Sequence, residues 1–599
     1  MNKAGERISE LKKLLAQEKI DFYIVPTADY HHSEYVSEFF KMRQFLSGFT
    51  GSDGTLVVSS AEAGLWTDGR YFEQAQNQLE GSGIVLYKMA EENVPTIEEY
   101  LEKNVQEGQT IGFDGRVVDA AFGKRLEKLF EGKQVKLSYD KDVAAQLWQD
   151  RPTMPVSKVW IVPEESCGMS VQDKLAKVRQ KMTEEKAKHF LLSKLDDIMW
   201  LYNIRANDVE CNPVALSYTW VSQKEAVLFI QSEALSEETK TYFEKCGVIC
   251  KEYDCVVEYL KSCTLSGKVW CALNASSYIL YKLMQQRAEL VEKVNPTEIM
   301  KAIKTPVELA QIREYYIKDS VVLTKFLFWM KEQAGKIEMD ELDASGKLDA
   351  MRAQIPGFLD LSFETISAYK ANAAMAHYSA TAGQASRIEA DGFYLVDSGG
   401  QYVGGTTDVT RTIVLGTITD EMKLHFTKVA CGMLRLADAK FLAGCTGRNL
   451  DILAREPLWE CGLDYKHGTG HGIGYILNVH EGPHSLRWQY RANLPEIELV
   501  EGMIVSDEPG LYISGSHGIR TENILEIVKE NKNEYGQFMG FEHLTYVPID
   551  LDAISVKDME SSDLKRLNAY HAAVYEKLSP YFEGSSLEQL KDATRAITM

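Results

Sequence analysis

The chain has 599 residues, 45% of them hydrophobic and 26% charged, with a formal net charge of −21. That length suits three or four domains, and the composition is ordinary for a globular protein. The acidic balance argues against a nucleic-acid or anionic-membrane partner, and no run of about 18 apolar residues exists to span a bilayer.

Residues 5–150 read as one α/β unit. Ile8, Leu11, Leu14 and Leu15 recur at helical spacing. Phe22-Tyr-Ile-Val reads as a strand that Pro26-Thr-Ala-Asp29 ends, and Gly54-Thr-Leu-Val-Val and Gly64-Leu-Trp-Thr read as further strands. Residues 140–155 look like an exit linker. The pattern then returns: Glu18-Lys19 through Asp29 aligns with Glu185-Lys186 through Asp196 at an offset of 167, each after an amphipathic helix. A period that long signals duplication of a whole domain rather than a short solenoid repeat. The second copy runs to about residue 302, and His189 in its first strand reads as an ordinary half-buried histidine. The N-terminus shows no apolar signal core. Ten cysteines are scattered, and Cys246, Cys250 and Cys255 cluster at a spacing that fits no zinc template. These features point to a cytoplasmic protein with reduced thiols.

Thr305 is a plausible N-cap with Pro306 at the first helical position. The helix it opens should cover 306–333, with Leu309, Ile312, Tyr315 or Tyr316, Val321 and Phe326 as its apolar stripe. Strands are expected over 360–367 and 392–396, and helices over 419–440, 448–459, 561–577 and 586–597. The stripes Met422, Phe426, Val429 and Leu450, Leu453 read as core.

Between these elements lie acids in unusual places. Asp397 follows the apolar run Gly-Phe-Tyr-Leu-Val, and Asp408 sits in Thr-Thr-Asp-Val-Thr-Arg. Glu508 follows Gly-Met-Ile-Val-Ser-Asp, and Glu522 precedes Asn-Ile-Leu-Glu-Ile-Val. A carboxylate at the end of an apolar strand must be paired, protonated or metal-bound. His467 and His471 are four apart, as in a helical zinc pair. Gly468, Gly470, Gly472 and Gly474 disfavour a helix there, so a loop or irregular strand is expected, with one histidine binding metal and the other nearby. HExxH is absent. Four carboxylates and one imidazole would neutralise two divalent cations that share a hydroxide. Such oxygen-rich ligation suits Mn²⁺, with Zn²⁺ or Co²⁺ as alternatives, better than a structural zinc. A cation pair about 3.5–4 Å apart can hold both a nucleophile and the oxygen of the bond it attacks.

Taken together, Val-Asp397-Ser-Gly, Gly-Thr-Thr-Asp408-Val-Thr-Arg411, His467-Gly-Thr-Gly-His471-Gly, Asn478-Val-His480-Glu-Gly-Pro, Asp507-Glu508-Pro-Gly and Ile519-Arg520-Thr-Glu522-Asn resemble the aminopeptidase P (Xaa-Pro aminopeptidase) family of pita-bread metallopeptidases, in its long three-domain form. The resemblance implies an α/β fold. Two related creatinase-like domains, 1–154 and 155–302, would precede a pita-bread catalytic domain, 303–599, with a C-terminal extension from about 540. It implies removal of the residue before a penultimate proline, by attack of a hydroxide bridging two metals. Asp397 would chelate one ion, Asp408 and Glu522 would bridge both, and His471 and Glu508 would complete the other. Glu508 would also relay the proton to the leaving prolyl nitrogen. His377, His467 and His480 would line the substrate carbonyl and the proline pocket, and seven of the twelve histidines fall between His377 and His517. Arg520 would orient carboxylates or line the pocket, while Glu34 and Arg70 would approach the substrate end, with Glu34 suited to the free amino group. His484 and His517 read as surface residues. The resemblance further implies a homodimer with no nucleic-acid or membrane partner. Prolidase shares the cage but cleaves Xaa-Pro dipeptides, creatinase-like enzymes lack the ligands, and a non-catalytic peptide-binding pita-bread protein would have lost them.

Overall fold

The computed structural model describes residues 3–490 and 496–598, and its contacts divide the chain into two compact units. The first comprises Met1–Glu164 and Met169–Glu298, the second Glu165–Gly168 and Ile299–Met599. Among the described residues no helix is long and apolar enough to cross a membrane.

The first unit holds two six-stranded sheets. In one, Phe22–Pro26 pairs antiparallel with Thr55–Ser59 and parallel with Thr110–Phe113. In the other, Ala187–Leu192 pairs antiparallel with Ser217–Ser222 and parallel with Lys268–Cys271. The outer strands repeat the same order and senses, so the two α/β copies are related in topology as well as in sequence. Each copy begins with an amphipathic helix, Lys3–Glu18 and Val171–Glu184. The first buries Ile8, Leu11 and Leu15 against Leu56, Val58 and Leu65 of the sheet, the apolar-stripe arrangement expected of a surface helix. Residues 140–155 are more than a linker. Val143 and Ala144 enter this same core, and the Val143 N–H donates to the Tyr23 hydroxyl on the first strand.

In the second unit the helix Pro306–Gln333 starts at Thr305, whose hydroxyl accepts from the Glu308 N–H while the Glu308 carboxylate accepts from the Thr305 N–H. That reciprocal cap leaves the helix phase as the sequence set it, and Leu309, Ile312, Tyr316 and Phe326 are buried. Three expectations are corrected. The strand over 360–367 is two strands, Phe358–Leu361 and Ile366–Tyr369, in different sheets, because Ser362 turns the chain by bonding to Gly399 and Thr407. The helix over 448–459 is two pieces, Gly447–Leu450 and Ile452–Trp459. The last helix is Gly584–Ala593. Two antiparallel sheets position the acids. One joins Ile366–Tyr369, Phe393–Ser398 and Val409–Val414; the other includes Gly470–Gly472, Ile504–Asp507 and Asn523–Asn533. The helices Asp420–Ala437 and Ser561–Leu578 cover them around Val505, Leu525 and Ile527, giving a helix-on-sheet core.

Helix Asp420–Ala437 approaches Ile452–Trp459 so closely that a Cβ on Gly432 would lie 2.2 Å from the Ala454 carbonyl oxygen. Backbone on that side cannot swing away like a side chain. Gly432→Ala should therefore cost about 1–3 kcal/mol, read as a lower urea midpoint with an unchanged slope. An unchanged midpoint would contradict the close approach.

Candidate metal centre

Antiparallel pairing explains why residues far apart in sequence meet. Ser398 pairs with Val409, so Asp397 and Asp408 come to one end of the same ladder. Asp507 pairs with Asn523, so Glu508 and Glu522 leave together from the end of another. The Glu522 N–H donates to the Thr410 carbonyl at 3.2 Å and joins the two sheets. His471 lies on the short strand Gly470–Gly472, against Val505. Glycine is required beside it, since a Cβ on Gly470 would meet the Ser506 carbonyl oxygen at 1.8 Å.

Asp397, Asp408 and Glu522 are buried and each offers an oxygen within 4.8 Å of the others. The His471 Nε2 lies 3.3 Å from Glu508 Oε1 and 3.6 Å from Asp408 Oδ2. Its Nδ1–H donates to the Gly472 carbonyl at 2.9 Å, which leaves Nε2 as the nitrogen facing the acids. Ser506 donates from Oγ to Glu508 and accepts from the His471 N–H. Thr410 donates to Glu522 Oε2 at 2.7 Å. By contrast, Asp397 Oδ1 and Glu522 Oε1 are buried without a hydrogen-bond partner. Buried carboxylate oxygens left bare are costly, and oxygens that converge are what a hard or borderline cation needs. The donor set fits divalent cations.

The electrostatics agree. Burial, followed by repulsion from Glu522, Asp397 and Glu508, pushes Asp408 well above the usual carboxylate range. Burial, Glu508 and Asp397 push Glu522 up to about 8. Burial pulls His471 down, but the hydrogen bond and charge of Glu508 outweigh it and lift the imidazole to about 9. Burial raises Glu508 as well, and His471 overcomes this and holds it near 2.

Arg520 lies inside this cluster. Its Nη2 donates to Asp397 Oδ2 at 2.5 Å, its Nη1 donates to the Tyr512 hydroxyl at 2.8 Å and the Ala376 carbonyl at 3.4 Å, and its Nε donates to Thr410. This corrects the charge count: four carboxylates against two dications and Arg520 leave one positive charge for an anionic ligand to balance. His377 is half-buried in the turn beside Ala376. His480 sets its ring edge-on to His471, with centroids 4.4 Å apart. His467 donates from Nδ1 to the Gly468 carbonyl and accepts at Nε2 from Tyr512, so both its nitrogens are engaged. His484 and His517, expected at the surface, are buried. His484 Nε2–H donates to the Ile504 carbonyl, and His517 stacks on His425 with Nε2 3.1 Å from its Nδ1. Glu34 and Arg70 lie in the first unit, where Arg70 makes a two-point ion pair with Asp68 and feels the charge of Glu34. Sequence reasoning missed Tyr512. It reaches Arg520 only because Gly510–Ile513 folds back on His517–Arg520, and no local pattern signals that. It also missed Asp507, a buried acid with neither oxygen partnered, which burial and Glu522 push well above its usual range.

Converging acids with one imidazole on a pair of antiparallel sheets make a site fit for divalent cations, and the matches to known proteins place it in a metallopeptidase. Residues 310–529 match metallopeptidase family M24, and residues 537–597 match the C-terminal region of peptidase M24. Residues 7–142 and 150–308 each match a creatinase/prolidase N-terminal domain. A probable Xaa-Pro aminopeptidase P of Talaromyces marneffei is 39% identical over 99% of this chain and 92% of its own. One of Colletotrichum graminicola is 36% identical over 97% of each. The crystal structure of X-prolyl aminopeptidase from Caenorhabditis elegans, a cytosolic enzyme with a di-nuclear active site, superposes with a TM-score of 0.94 over the whole of both chains at 32% identity. The chain belongs to the Xaa-Pro aminopeptidase P family.

Without cations Glu522, pushed up to about 8, and His471, lifted to about 9, hold protons at neutral pH, and cation binding expels them. Affinity for a divalent cation should therefore rise steeply from pH 6 to pH 9 and flatten above. Calorimetric titration in buffers of different ionisation enthalpy should show net proton release at pH 7. A binding constant that does not change with pH would contradict this charge distribution.

Proposed function

We propose that this protein is an aminopeptidase that removes the N-terminal residue from peptides whose second residue is proline. In this reading Asp397, Asp408, His471, Glu508 and Glu522 hold two divalent cations. The observation that carries it is the convergence of Asp397, Asp408 and Glu522, two of which keep an oxygen without a partner, with the His471 Nε2 facing Asp408. When bound, the cations supply Lewis acidity, acidifying water and polarising the carbonyl before proline. The chain's own groups do the rest. Arg520, donating to its Oδ2, holds Asp397 in place. Glu508, bonded to Ser506 and facing His471, is placed to take a proton and pass it to the departing prolyl nitrogen. That nitrogen belongs to a tertiary amide without an N–H, so recognition rests on the ring rather than on a donor. In this reading His377 and His480 would donate to a developing oxyanion, and the ring of His480 already meets that of His471 edge-on. His467, with both nitrogens used, shapes the pocket and holds Tyr512.

Further parts of the proposal are Mn²⁺ as the metal, from the oxygen-rich donors, and a homodimer. A cytoplasmic location fits the ten free cysteines. Domain limits at 1–154, 155–302 and 303–599, with an extension from about 540, and an approach of Glu34 and Arg70 to the substrate's amino end complete it.

An Xaa-Pro-Xaa tripeptide should lose its first residue only with added divalent cation, and an Xaa-Pro dipeptide should be a much poorer substrate. Preference for the dipeptide would make the protein a prolidase. Asp408→Ala or Glu522→Ala should abolish turnover and bound metal together. Retention of both would remove these residues from the metal site.

A further inference from the structure

Beside the site lies a cluster of buried charges that the reaction does not use. The Glu481 carboxylate is gripped by two ammonium groups: the Lys301 Nζ donates to Oε2 at 2.7 Å, and the Lys304 Nζ donates to Oε1. All three side chains are at most 2% exposed. Taking three charges out of water is expensive, and apolar residues of similar size often give equal or greater stability. Stability therefore does not explain the cluster. What two cations on one carboxylate do achieve is a fixed position for the backbone that carries it.

That backbone carries His480. On the N-terminal side, the His480 N–H donates to the Asn478 side-chain oxygen at 3.2 Å. On the C-terminal side, Glu481 pairs across the sheet with Gly472, the neighbour of His471. The fit is tight, since a Cβ on Gly472 would lie 2.5 Å from the Glu481 carbonyl oxygen. The His480 ring, so held, meets the His471 ring edge-on. We propose that Glu481, clamped by Lys301 and Lys304, is a positioning residue that sets the His480 ring against the reacting carbonyl. This rests on His480 acting on substrate, as put forward above.

The test uses Glu481→Asp, which keeps the charge balance but draws the carboxylate back by one methylene. With an Xaa-Pro-Xaa peptide, kcat should fall about 10- to 100-fold, the range seen when groups that orient a site residue are altered. KM should stay within about twofold, and bound metal should be unchanged. The same change in a His480→Ala background should cost less than about twofold more, because the group it positions is gone. Should Glu481→Asp not fold, Lys301→Met, which leaves a balanced Glu481–Lys304 pair, takes its place in the cycle. Wild-type kcat in the substituted protein, or equal losses in both backgrounds, overturns the proposal. Wild-type kcat in His480→Ala alone would instead withdraw His480 from the reaction, and this inference with it.

Discussion

Three buried carboxylates whose oxygens converge within 4.8 Å of one another, with the half-buried Glu508 beside them on His471, are the constraint to which the catalytic unit is built. Left alone they repel, and desolvation multiplies the repulsion because the low-dielectric interior screens it poorly. The surrounding groups answer that charge. Arg520 meets Asp397, His471 meets Glu508, and Thr410 meets one oxygen of Glu522. The oxygens that remain bare define where positive charge has to come from.

Holding such a cluster needs stiffness, and polar scaffolding supplies it. Asp397, Arg520, Tyr512 and His467 form one chain of hydrogen bonds across the site. The histidine loop is pinned from behind by the fully buried Arg455, which reaches Asp451, the Tyr465 carbonyl and the His467 carbonyl. Thr469 bonds to Asp451 and accepts at its carbonyl from the Glu508 N–H. A histidine and a glutamate on different strands thereby share one support.

The first unit shows how duplication can serve a different end in each copy. Its copies are joined through His31, which donates from Nδ1 to the Ser193 carbonyl and accepts at Nε2 from Tyr253. Burial holds that imidazole neutral, near 4, as its two-sided bonding requires. After the first strand of the second copy, the helix Leu195–Tyr202 is buried along its whole length. The first copy instead continues into the irregular segment that carries His31 and Glu34.

Local chemistry was legible in the chain. The phase and start of Pro306–Gln333 follow from Thr305, Pro306 and Glu308, which act within one turn. The duplicated opening, the glycine-spaced histidine loop and the acids after apolar strands are likewise short-range patterns. Residues whose placement depends on partners far along the chain were not legible. Nothing near His517 marks it as buried, because His425 covers it from another element. Tyr512 and Arg520 meet only through a hairpin, and Lys301 reaches Glu481 across 180 positions. Sequence alone determined which side chains are candidates to bind metal and which apolar strands lie next to them. Only the tertiary structure decided which oxygens stay bare, which nitrogen of His471 faces them and which charges balance them, because those depend on distances that antiparallel registers set between segments with no neighbourhood in sequence.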